Sequence, residues 1–156
     1  GEGAQRRPRG CPRGDDGPFR AAAAACLMRA LAAPIGAGDL SDRIAILSIK
    51  AERMVAPAKR AAASAARDAM IAARDNGLPM TDALTALAAD LRAVNEALWD
   101  IENLLRAHEA RGDFGVAFVA LARSVYREND RRAAIKARID LLLGAPSQAP
   151  KEHSVR

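Results

Sequence analysis

Aromatic side chains make up only 3% of this 156-residue chain: one Trp, one Tyr and three Phe. A β-sandwich packs its sheets with Val, Ile and aromatic residues, so that scarcity argues against one. The two cysteines, Cys11 and Cys26, both precede the periodic part of the chain. They cannot staple a core, and no Cys or His stands near them at metal-ligand spacing. No metal or cofactor is expected, and a reducing cytoplasm is the expected compartment. The chain holds no HExxH, CxxC, Walker loop, GxGxxG or nucleophile elbow. Ser41 and Ser124 have no evident base. His108 falls near a helix end and His153 in a tail. No run of 18 apolar residues occurs, which excludes a membrane-spanning helix as an expectation. The residues therefore name no reaction.

Charge is nearly balanced where the chain can fold. The net +5 divides into +3 for residues 1–37, +1 for 38–143 and +1 for 144–156. A folded nucleic-acid binder concentrates its basic excess on the body, so nucleic acid is not an expected partner. Residues 1–37 begin with an Arg-, Gly- and Pro-rich stretch that has little to bury and read as a disordered basic extension. Met28 is a candidate natural start. Residues 144–156 read as a polar tail.

What is present is alanine and helical period. Leu40, Ile44, Leu47, Ala51 and Met54 recur at helical spacing, and Asp39 or Ser41 is a candidate cap. Gly36 and Gly38 are read as closing the preceding tail. Pro57 ends or kinks this helix. Lys59 to Asp75 continues as an alanine-rich helix and stops at Asn76-Gly77-Leu78-Pro79. Thr81 or Asp82 caps a third helix. Its residues Leu84, Leu87, Leu91, Val94, Leu98, Ile101 and Leu105 alternate in steps of three and four, the spacing of a coiled-coil seam. Arg111-Gly112-Asp113 supplies a stop, a tight joint and a new cap. The last helix is expected from Phe114 to about Leu143, closing at Gly144. So short a joint favours an antiparallel pair. The expected fold is all-α: an antiparallel bundle of three or four helices, over residues 38–143, with a long coiled-coil hairpin.

The last helix carries an anomaly. Its seam runs through Phe114, Phe118, Leu121, Val125, Ile135, Ile139 and Leu142, but Glu128 and Arg132 occupy the two central positions. In a hairpin turning at Gly112, residues equidistant from the turn lie level. Asn95 falls level with Asn129, and Leu98 with Tyr126, so residues 95–102 run beside 122–129. Two polar blocks therefore meet near the middle of the hairpin. The candidate binding residues are Lys50, Arg53, Asn95, Trp99, Glu102, Arg123, Tyr126, Asn129, Asp130, Arg132 and Lys136. Two readings stand open: flanking charges that pair across helices and fix register, or a ligand or partner site.

Three blocks resemble a small bacterial helical family of unknown function. The opening is Gly38-Asp39-Leu40-Ser41-Asp42-Arg43-Ile44-Ala45-Ile46-Leu47-Ser48-Ile49-Lys50-Ala51-Glu52-Arg53-Met54. It is similar to the family's G-E-L-I-D-K-I-T-I-L-x-I-K-x-E-R-I and departs from it at Asp39, Ser41, Arg43, Ala45 and Met54. Val94-Asn95-Glu96-Ala97-Leu98-Trp99-Asp100-Ile101-Glu102 resembles V-N-x-x-L-W-x-I-E. Residues 118–136 resemble F-x-x-L-A-R-S-V-Y-x-x-N-D-x-R-A-x-I-K. The likeness covers about residues 35–143. It implies a bacterial cytosolic protein, in some cases associated with glycosyltransferase or tetratricopeptide proteins of surface-polysaccharide pathways, and it implies no reaction.

The expected function is a non-enzymatic helical accessory or interaction module, with a protein partner or self-association, acting through the Asn95–Glu102 and Arg123–Lys136 faces. The alternative is a small all-helical enzyme. The helical chorismate mutases are similar in clamping an anionic substrate with Arg and Lys from long helices, which Arg53, Arg123, Arg132 and Lys136 would supply here. A third reading is nucleic-acid binding by the Arg-rich extension.

Overall fold

Alanine and leucine at helical spacing give a structure in which every regular element among the described residues is a helix. The computed structural model describes residues 34–144. The expectations of a basic extension, of Met28 as a start and of a polar tail lie largely outside them. Helix α1 spans Ala37–Arg53, α2 Pro57–Gly77, α3 Asp82–Arg111 and α4 Val116–Leu142, all in one unit that begins at Ile35. Helix α1 packs against each of the other three, and α3 packs along α4. The fold is an all-α helical bundle. No helix among the described residues is long and apolar enough to cross a membrane.

Several boundaries follow local chemistry. Pro57 does not kink α1; it starts α2, where its missing amide costs no hydrogen bond and its fixed φ suits the first turn. Thr81 caps α3, its hydroxyl accepting from the Leu84 amide at 3.2 Å. Gly112 ends α3 at φ 65°, a conformation that favours glycine.

Other boundaries depart from the sequence reading. The α1 N-terminus has no side-chain cap of its own, because the helix starts earlier, at Ala37. Asp39 and Ser41 therefore sit inside it, and the Ser41 hydroxyl donates back to the Ala37 carbonyl at 2.8 Å. Gly38 is helical too, not the end of a tail. The cap comes from the far end of the chain: the Asp140 carboxylate accepts from the Gly38 amide at 2.8 Å. An anion there also meets the positive end of the helix dipole. Asp113 does not cap α4, and Phe114 is not helical. After Gly112 the chain stays out of the helix until Val116, while Asp113 accepts from the Gly115 amide at 3.3 Å and pairs with His108 at 3.0 Å.

The core lies in one half of the hairpin. Leu84, Leu87, Leu91, Val94 and Leu98 of α3 bury against Ile135 and Ile139 of α4, and Leu40, Ile44, Ala45 and Ile49 of α1 are buried as well. The expected seam of α4 is not buried along its whole length. Phe118, Leu121 and Val125 are half-buried, and Phe114 and Leu142 are exposed. The reason is length. At 1.5 Å per residue α1 spans roughly 25 Å, while α3 spans roughly 45 Å. Helix α1 ends beside Asp100, which Arg53 reaches at 2.8 Å. Beyond that level, among the described residues, two helices face each other with no third, and no residue from Trp99 to Ala134 is buried.

Candidate binding cleft at the end of the first helix

The charged pair in the α4 seam finds its explanation on α1. Asp42 is only 5% exposed, and a carboxylate so buried needs partners. Arg132 provides a two-pronged one: its Nε donates to Oδ1 at 2.8 Å and its Nη2 to Oδ2 at 2.5 Å. The Asn95 side-chain amide donates to Oδ1 at 2.9 Å and to the Leu91 carbonyl at 3.0 Å. One carboxylate thus ties together three helices. The parallel fork of the guanidinium sets direction as well as charge. That hydrogen bonding raises the Arg132 pKa further, against a smaller lowering by burial. Among the described residues no buried side-chain nitrogen or oxygen lacks a hydrogen-bond partner.

Several other charges around this centre also pair. Arg92 grips Glu52 at 3.0 and 2.5 Å and reaches Glu96 at 2.9 Å. That hydrogen bonding holds the Glu52 carboxyl below the usual range and raises the Arg92 guanidinium. Arg53 bonds Asp100 and lies 3.9 Å from Glu96. Lys136 pairs with Asp39. Glu128 pairs along its own helix with Arg131 at 3.0 Å.

A cleft of about 440 Å³ opens beside the Asp42–Arg132 pair, where α1 runs out. Helix α1 lines it with Ile46, Ile49, Lys50 and Met54; α3 adds Asn95, Leu98, Trp99, Glu102 and Arg106; α4 adds Asn129 and Arg132. Six of the candidate residues read from the sequence meet here: Lys50, Asn95, Trp99, Glu102, Asn129 and Arg132. The other five lie elsewhere. Arg53 and Lys136 are held by acids on neighbouring helices, whereas Arg123, Tyr126 and Asp130 are exposed on α4 outside the cleft lining.

Asp42 and Asp140 were not among the candidates. Asp42 carries a sequence signal, an acid placed among the apolar residues of α1, but its partner Arg132 lies 90 residues away. Asp140 sits 102 residues from the amide it caps. Among the described residues no group of three or more His, Cys, Asp or Glu side chains is arranged to hold a metal ion. Searches against protein-family models, curated proteins and solved structures found no match.

Proposed function

We propose that the protein is a non-enzymatic helical interaction module, and that a partner protein completes its bundle on the distal half of the α3–α4 hairpin. One observation carries this reading: from Trp99 to Ala134 no residue is buried, although the stretch contains many apolar side chains. Val116, Val119 and Tyr126, at 89%, 42% and 54% exposure, recur on α4 at spacings of three and seven. They form one outward stripe with Arg123 between them. Exposed apolar side chains grouped in this way mark interaction surfaces. A helix laid along the stripe, with an acidic residue opposite Arg123, would bury it.

The enzyme reading has less support. Its substrate clamp needs open guanidinium groups, and the Arg53 and Arg132 side chains both end on carboxylates. Lys136 is likewise paired. The family resemblance makes bacterial glycosyltransferases and tetratricopeptide proteins the first partners to try.

The test is photocrosslinking in bacterial extract, with a photoreactive residue at position 119 or, as control, at Thr85. A discrete protein adduct at 119, absent at 85 and lost when Arg123→Glu is added, is the expected result. Identical adducts at both positions, or an adduct indifferent to Arg123→Glu, overturns the proposal.

A further inference from the structure

The cleft at the end of α1 has a charge that no carboxylate among the described residues answers. Three cations line it. Arg132 is committed to Asp42 and Arg106 to Glu102 at 3.0 Å. Lys50 has no carboxylate partner among the described residues, although it is half-buried. The rest of the lining divides cleanly. Ile46, Ile49, Met54 and Leu98 are apolar, and Trp99 is the single tryptophan of the chain. The polar atoms at the α4 side are already used. The Asn129 amide donates to the Val125 carbonyl at 3.0 Å, and its oxygen receives Arg132 at 3.4 Å.

We propose that this cleft binds a small planar monoanion, an aromatic carboxylate, with its charge on Lys50 and its ring against Trp99. The volume of about 440 Å³ lies within the range of small-molecule sites, roughly 300–1,000 Å³. An apolar surface with few polar groups is also what such sites present. The ligand carries one negative charge because Lys50 is the one cation of the lining without a carboxylate partner among the described residues. Lysine acts as a point charge, and the two guanidinium groups of the lining, Arg132 and Arg106, already pair with Asp42 and Glu102, so an oxyanion needing two-pronged recognition is disfavoured. The flat indole and the Met54 thioether both favour contact with an aromatic ring. This site is separate from the distal stripe of α4 and stands independently of the partner proposed for it.

Because Trp99 is the only tryptophan, its indole N–H gives one resonance in a nitrogen-15 correlation spectrum, and that resonance reports occupancy of the cleft. The probes are 2-naphthoate, its neutral analogue 2-naphthylmethanol, and inorganic phosphate, each added to the full chain. Saturable movement of the indole signal by naphthoate, at least tenfold weaker binding of the alcohol and no movement with phosphate are expected. Lys50→Ala weakens naphthoate binding at least tenfold, Lys50→Arg retains it, and Val119→Glu leaves it unchanged. Amide spectra of the variants show that each is folded. No saturable movement by naphthoate up to about 1 mM, equal binding of the alcohol, phosphate acting like naphthoate, or wild-type affinity in Lys50→Ala overturns the proposal.

Discussion

At the scale of single residues, the molecule is organised by buried polar atoms more than by any one apolar side chain. Asp42 is held by Arg132 and Asn95 from two other helices. Removing one partner of such a pair strands the other. Arg132→Ala should therefore cost about 2–3 kcal/mol, below the full penalty for a buried pair because Arg132 keeps some contact with water. Asp42→Ala should cost a similar amount, and the double variant less than the sum of the two. Urea unfolding of the four proteins measures this; strict additivity would show that the pair contributes no coupling. Gly38 poses a different constraint. A Cβ there would stand 2.5 Å from the Lys136 carbonyl oxygen, so α1 and α4 touch backbone to backbone. Gly38→Ala gains about 1 kcal/mol of helix propensity, yet overpacking costs about 1–3 kcal/mol. We expect net destabilisation in the same assay, and a stabilised variant would contradict the close approach.

At the scale of elements, the four helices are unequal. Helix α3 has a cap at each end and a continuous apolar seam, and it supplies Leu84, Leu91 and Val94 at 1% exposure or less. Helix α2 buries only Ala63. Its ion pairs, Arg67–Asp68 and Arg74–Asp75, join neighbours in sequence and lie at the surface, where such pairs contribute little. Local stability follows buried contact. Native-state hydrogen exchange should find the α2 amides opening well before those between Leu84 and Leu98. Equal protection in the two segments would mean that α2 is held by more than its one buried side chain.

At the scale of the whole molecule, a three-helix core gives way to a two-helix extension. Helix α1 stops at Arg53, beside Asp100, and the cleft lies at that step. The step places Lys50, the single lysine of α1, and Trp99 of α3 in the lining of one cleft, so the proposed anion site is a product of unequal helix lengths. A partner helix on the distal hairpin would remove the inequality. In the same exchange experiment, the crosslinked partner should slow exchange between Trp99 and Ala134 while leaving Leu84–Leu98 unchanged. Slowing confined to Leu84–Leu98 would place the partner elsewhere.

The helical class, the hairpin turning at Gly112 and the Thr81 cap were legible in the chain, because periodicity and capping act within a few residues. Counting from Gly112 also placed Asn95 level with Asn129, and both line the cleft. What local pattern could not carry was the pairing of charges. The sequence offered Lys50, Arg53, Arg123, Arg132 and Lys136 alike, paired or open; only the packing of α1 onto α3 and α4 committed Arg53, Arg132 and Lys136 to Asp100, Asp42 and Asp39, while no acid among the described residues pairs with Lys50. Tertiary structure likewise chose Asp140 over Asp39 or Ser41 as the cap of α1. A helix is decided by neighbours along the chain. Whether a charge is spent or available is decided by neighbours in space, here as many as 102 residues away.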